Sequence, residues 1–266
     1  MTFGLSGAAA HGFLSLILAK TKIDDKHLRI MDILSPIPAL AMMLGLVALW
    51  FAWANPTPVV SIAAAISPIS LVACFGFLIV SIVASGCYAV LSLGDRATKR
   101  SRTLLTSIAG IGGLAYVISI ACVHACVPVQ SWNAAAVFSS VLGASLCAGA
   151  ALSAAMVENA GIVFGKGLRR ATIIASFCGL LVGVLGLSRQ VAVSSSWFAL
   201  ANYDPSFENV VSNNVVVGLF CLVASSVFCV LGIRSKDKGF YSVIAVACSL
   251  VAMFCFFLVL YTAMPL

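Results

Sequence analysis

Two histidines are the side chains of this sequence best suited to proton chemistry inside a membrane. His11 and His124 lie within apolar segments, whereas His27 lies in a stretch rich in Lys and Asp and is expected to be solvated. Ionisable groups at membrane depth are costly and are functional candidates by default. A neutral imidazole there can bind a quinone carbonyl or accept a proton from a quinol. For His11, a structural hydrogen bond to a neighbouring helix explains the residue equally well.

The string Cys122-x-His124-x-Cys126 has the residue types of a metal site but the wrong spacing for a helix. Residues two apart on a helix point to nearly opposite faces, so only the two cysteines share a side. All ten cysteines lie in apolar segments without a CxxC pair, and we read most of them as small apolar side chains. We expect no cofactor held covalently or by metal ligands and no self-contained catalytic site.

Composition indicates that these residues sit in a membrane protein. The chain has 266 residues, is 62% hydrophobic and is only 9% charged, against about 25% charged in a soluble domain. Fourteen of its fifteen Lys and Arg residues fall in four clusters, namely Lys20–Arg29, Arg96–Arg102, Lys166–Arg170 and Arg234–Lys238. Basic residues in short loops stay on the cytoplasmic side, so the pattern predicts a chain threaded repeatedly through a bilayer rather than a nucleic-acid-binding protein.

The predicted fold is an all-α integral membrane bundle of eight transmembrane helices, formed by residues 1–266 as one polytopic domain. A spanning helix needs about 20 mostly apolar residues. The eight predicted segments are Thr2–Ala19, Leu34–Trp53, Ile66–Leu93, Leu104–Val127, Trp132–Met156, Ala171–Leu187, Asn214–Ile233 and Tyr241–Met264. Basic loops alternate with neutral ones along this series. Both termini are therefore expected on the outer (periplasmic) side of a bacterial cytoplasmic membrane.

Two further features predict how the helices pack. Small residues recur four apart in the fifth and sixth segments, at Ser145, Gly149 and Ser153 and at Ala175, Gly179 and Gly183. Such stripes let helix backbones approach closely, so we expect these two helices in the middle of the bundle. Glu158 ends the fifth helix, where it is expected to pair with a nearby basic cluster.

The chain resembles the membrane-anchor subunits of bacterial dimethyl sulfoxide reductases. Three stretches carry the resemblance: the opening helix with Gly12-Phe13, the turn Val127–Asn133 followed by Phe138 and Gly143, and the region of Ser194–Ser196, Leu200 and Tyr203. Several polar residues typical of the family are missing. Phe51–Pro56 has no His, Val72 replaces a Glu, Asn213-Asn214 replaces a basic residue, and Met253–Tyr261 has no charge.

The resemblance implies a partner set and a substrate. Anchor subunits of this family hold a molybdopterin catalytic subunit and a four-cluster iron–sulfur subunit at the membrane, and they pass electrons from menaquinol to the iron–sulfur chain. Transferred to this sequence, the quinol-binding candidates are His11, His124, Trp132 and Asn133. The competing interpretations are a small multi-helix transporter or permease, and a membrane scaffold with no redox role.

Overall fold

The computed structural model describes residues 7, 9–10, 25–54, 68–126, 133–162, 165–201, 205–234 and 239–262. Within these ranges every regular element is an α-helix. The helices are α1 (Asp25–Leu34), α2 (Pro36–Ala54), α3 (Pro68–Leu93), α4 (Lys99–Cys126), α5 (Ala134–Asn159), α6 (Lys166–Ala201), α7 (Pro205–Arg234) and α8 (Phe240–Thr262).

Seven helical segments of the described chain are long and apolar enough to cross a membrane. They are Lys26–Val47, Val72–Leu93, Lys99–Cys126, Ala134–Asn159, Arg169–Ser196, Val211–Arg234 and Phe240–Leu260. The outside of the bundle is apolar as well, since Val72, Val90 and Phe220 are each more than 70% exposed. Helices satisfy their own backbone hydrogen bonds and can present such surfaces to lipid. The prediction of an α-helical, multi-pass membrane protein is therefore confirmed.

The predicted second to eighth segments correspond to α2–α8. Most of the first predicted segment, Thr2–Ala19, lies outside the described residues. Ala9 and Ala10 from that segment are helical and fully buried, and Ala9 contacts α5 at Gly149. The count of eight spans and the position of the termini remain predictions.

Helix α1 corrects the prediction that Lys20–Ile33 is a loop. It is amphipathic: Met31 packs in the core, whereas Lys26 and Arg29 are exposed. Many charges within ten residues made the segment look like a loop, but its apolar residues follow helical spacing. The helix ends at Leu34. The hydroxyl of the next residue, Ser35, donates to the carbonyl of Asp32 at 2.7 Å, and Pro36 opens α2.

The prediction that Ser188–Asn213 forms an outer loop is also wrong over most of that segment. Helix α6 continues to Ala201 and α7 begins at Pro205, so only residues 202–204 separate the helices. Serines here bond within the helix, as Ser196 does by donating to the carbonyl of Ala192 at 2.9 Å. Such internal bonds let polar residues remain helical.

Helix α5 forms the centre of the bundle, as predicted. It packs on α6 so closely that a methyl group at Gly143 would overlap the backbone nitrogen of Gly183, and one at Gly179 would lie 2.9 Å from Cys147 Sγ. The prediction that α6 shares the central position is wrong. Leu181 and Leu185 of α6 are 57% and 69% exposed, so α6 presents one face to lipid.

The described residues of the four basic clusters lie at one end of the bundle, here called the charged end. Arg102 at the start of α4 bonds Asp32 at the end of α1, and His27 of α1 lies beside Gly161 after α5. The start of α8 lies at the same end, since Gly239 lies beside Asn159. The opposite end is formed where α4 ends and α5 begins.

Candidate functional site

His124 lies in the core at the opposite end of the bundle. It occupies the last turn of α4, is 3% exposed, and packs against Phe257 of α8 with ring centroids 5.8 Å apart. Its Nδ1 lies 2.8 Å from the carbonyl oxygen of Ile120. Since a carbonyl only accepts hydrogen bonds, Nδ1 carries the proton, and in the neutral ring Nε2 is the basic nitrogen.

The cysteines that flank His124 point away from it. Cys122 and Cys126 are both exposed, whereas His124 is buried. The predicted separation of these residues onto two helix faces is therefore confirmed. Across the described ranges, no group of three or more His, Cys, Asp or Glu side chains could hold a metal ion.

Asn133 is placed at the same end as His124 but has a structural task. Its side-chain oxygen accepts the amide of Ala136 at 3.0 Å and so caps the start of α5. The backbone N–H of Asn133 donates to Gln190 Oε1 at 3.0 Å, and Gln190 Nε2 donates to Ser194 Oγ at 3.0 Å. Gln190 and Ser194 are 0% and 1% exposed, and sequence reasoning missed Gln190 because we assigned it to a loop.

Asn133, Gln190 and Ser194 therefore form one neutral polar group that links the start of α5 to α6, and His124 lies at the same end on α4. Of the four predicted quinol-binding residues, His11 and Trp132 lie outside the described residues. His124 and Asn133 share this end of the bundle, on consecutive helices.

A second polar site, at the charged end, was not predicted. Asp32 is 4% exposed. Its carboxylate accepts hydrogen bonds from Tyr88 Oη at 2.7 Å, from Arg102 Nε at 3.2 Å and from Arg102 Nη2 at 2.5 Å. The guanidinium thus binds the carboxylate with two nitrogens, which is the strongest form of this pair. The site joins α1, α3 and α4. A nearby pair, Arg29 with Asp95 at 3.7 Å, is by contrast about three-quarters exposed on both sides.

Glu158 forms a third polar site, also at the charged end. It is 5% exposed and accepts a hydrogen bond from the hydroxyl of Ser242 on α8. Gly232 of α7 lies against the same carboxylate, where a methyl group would be 3.1 Å from Oε1 and 3.2 Å from Oε2. The predicted pairing of Glu158 with a basic cluster remains a prediction.

Comparisons with the models of known protein families, with curated proteins and with solved structures give no match for this chain.

Proposed function

We propose that this chain is the membrane-anchor subunit of an anaerobic molybdo-oxidoreductase similar to the dimethyl sulfoxide reductases. In this role it tethers a four-cluster iron–sulfur subunit and a molybdopterin catalytic subunit to the bacterial cytoplasmic membrane, and it passes electrons from menaquinol to them. The observation that carries the redox part is the buried imidazole of His124, packed on Phe257 in the bundle.

We infer eight spans, with the opposite end and both termini on the outer face. The charge distribution supports this orientation. The four basic clusters contain fourteen of the fifteen Lys and Arg residues, and the described residues of each cluster lie at the charged end. Positively charged loops are retained in the cytoplasm. The eighth span would be supplied by the first predicted segment, Thr2–Ala19.

His124 suits the proton chemistry of quinol oxidation. Oxidation of one quinol releases two electrons and two protons. The electrons pass to the iron–sulfur subunit. In the proposed site, Nε2 of His124 accepts the first proton, while the bond from Nδ1 to the carbonyl of Ile120 holds the ring and its tautomer. The second proton leaves to the outer aqueous phase. The neutral Asn133–Gln190–Ser194 group offers hydrogen-bonding partners to a neutral quinol without adding a charge.

The test is menaquinol oxidation by the co-purified complex with substitutions at His124. His124→Leu should lower the rate about a hundredfold, the lower range for loss of a general base, while the iron–sulfur subunit still co-purifies. Cys126→Ser, on the lipid-facing side of the same helix turn, serves as the control and should keep the rate. An unchanged rate in His124→Leu would remove His124 from the site, and purification without any iron–sulfur subunit would contradict the anchor role itself.

A small permease is the alternative proposal, and the buried Glu158 carboxylate favours it. A carboxylate on α5 that contacts both α7 and α8 is a suitable group for coupling proton movement to transport. The genes beside this one distinguish the two proposals, because an anchor subunit should be encoded next to a molybdopterin subunit and a ferredoxin-like subunit. Proton uptake by vesicles that depends on Glu158, in the absence of such neighbours, would favour the permease.

A further inference from the structure

A cavity of about 310 Å³ opens at the charged end, between α2 and α8 and over α5. Its lining is apolar apart from the amide of Asn159 and includes Ile37, Ala155 and Val243. Ile37 and Val243 are 39% and 55% exposed, so the cavity opens sideways towards lipid rather than into the core. Its volume is at the lower end of the range for small-molecule sites.

The polarity of the cavity changes along its length. Ala155 lines the part nearer the middle of the bundle. Asn159, one turn nearer the charged end, supplies the amide. One N–H of Asn159 Nδ2 donates to the carbonyl of Ala155 at 2.7 Å, and its other N–H can donate to a ligand. An occupant should therefore be apolar in its deep part and carry a hydrogen-bond acceptor near the mouth.

Positive charge lies beyond the amide. Lys26, Ile30 and Leu34 of α1 are spaced four apart and share one helix face. Leu34 lines the cavity, Ile30 packs on the neighbouring core, and Lys26 is exposed. Lys26 is eight residues from Leu34, or about 12 Å along the helix. The basic cluster Arg234–Lys238 directly precedes α8, which forms the other wall.

We propose that this cavity is a binding site for a phospholipid with an anionic headgroup. One acyl chain fills the apolar cavity, and an ester carbonyl accepts a hydrogen bond from the side-chain amide of Asn159. The phosphate lies beside Lys26. The order of apolar lining, amide and cation matches the order of groups in such a lipid, and basic pockets on the cytoplasmic side of membrane proteins suit anionic headgroups. The inference is independent of the redox role.

The test is native mass spectrometry of the delipidated full-length chain, with any co-purifying subunits, titrated with phosphatidylglycerol or with phosphatidylcholine of identical acyl chains. We expect one phosphatidylglycerol to bind more tightly than phosphatidylcholine. Lys26→Gln should weaken its binding about fivefold, the change for one basic residue at an anionic headgroup, and should leave phosphatidylcholine unaffected. Lys99→Gln, at another exposed lysine, on α4, should have no effect on either lipid.

A second pair of variants tests the cavity itself. Val243→Trp places a large ring at the mouth and should abolish the bound lipid. Val251→Trp is the matched control, because Val251 is on the same helix and is 44% exposed but does not line the cavity. Equal affinity for both lipids, no effect of Lys26→Gln, or a bound quinone in place of phospholipid would overturn the proposal. So would a dimer of this chain that Val243→Trp dissociates.

Discussion

The two ends of this bundle satisfy their buried polar groups in different ways. At the charged end, Asp32 is neutralised by Arg102 and also bonded by Tyr88. At the opposite end, the described buried polar side chains are neutral, and Gln190 links the start of α5 to α6 through amide hydrogen bonds. An ion pair thus joins helices at the charged end, and hydrogen bonds between neutral groups join helices at the opposite end.

The difference follows from what each end must tolerate. A buried carboxylate is stable only when its charge and its hydrogen-bonding capacity are both met, and removing one partner leaves an uncompensated charge. The charged end is therefore vulnerable to single substitutions. At the opposite end, a neutral polar group that loses a hydrogen-bonding partner costs less free energy than an unpaired charge would. This suits the proposed site, where a neutral quinol binds and leaves.

The largest expected effect is at Arg102. Arg102→Ala leaves the Asp32 carboxylate buried and should lower the free energy of unfolding in detergent by about 3 kcal/mol. Arg29→Ala removes the exposed pair with Asp95 and should change it by less than about 1 kcal/mol. Similar losses from both variants, measured by the same thermal or denaturant titration, would show that the buried pair is no stronger than the surface pair.

The contact between α5 and α6, which connects the two ends, should be nearly as sensitive. Gly143→Ala introduces a methyl group against the backbone of Gly183 and should destabilise the protein by about 2 kcal/mol, as overpacked sites do. Gly86→Ala in α3 is the control, since nothing lies within 4 Å of its added methyl group. If Gly143→Ala is as stable as Gly86→Ala, the close approach of α5 and α6 is incorrect.

At the opposite end we expect a smaller loss from Gln190→Leu. The substitution keeps the volume but leaves the amide of Asn133 without its acceptor, which should lower the unfolding free energy by about 1.5 kcal/mol. Ser196→Ala, on an exposed turn of the same helix, should be neutral. A loss as large as that of Arg102→Ala would remove the contrast between the two ends.

The smallest effect is expected at the helix cap. Asn133→Ala removes the acceptor for the amide of Ala136 and should reduce stability by about 1 kcal/mol. Asn133→Ser restores a capping oxygen and should recover most of the loss. A loss of menaquinol oxidation in Asn133→Ser with stability intact would support the proposed place of the asparagine side chain in the quinol site.

Apolar runs predicted the helices from the second segment onwards. A helix that faces lipid must be apolar along its length, so hydropathy directly indicates which segments cross the membrane. The same reasoning failed where polar residues occur on a helix, at α1 and in the last turns of α6. The separation of Cys122 from His124 followed from helical geometry alone. By contrast, Asp32 bonds residues 56 and 70 positions later in the chain. No local pattern specifies that partnership, although an Asp between a basic cluster and a long apolar run was a signal worth testing.

The length of α6 has a mechanical consequence. Its 36 residues make a rod of about 54 Å, longer than the roughly 40–45 Å of a whole bilayer with its headgroups. The rod therefore reaches both aqueous phases even when moderately tilted, and a thicker membrane can be accommodated by its standing straighter, without unwinding. The basic first turn of α6 and Gln190 belong to the same continuous helix. A change in helix tilt at one membrane surface therefore displaces the hydrogen bonds of Gln190 near the other surface.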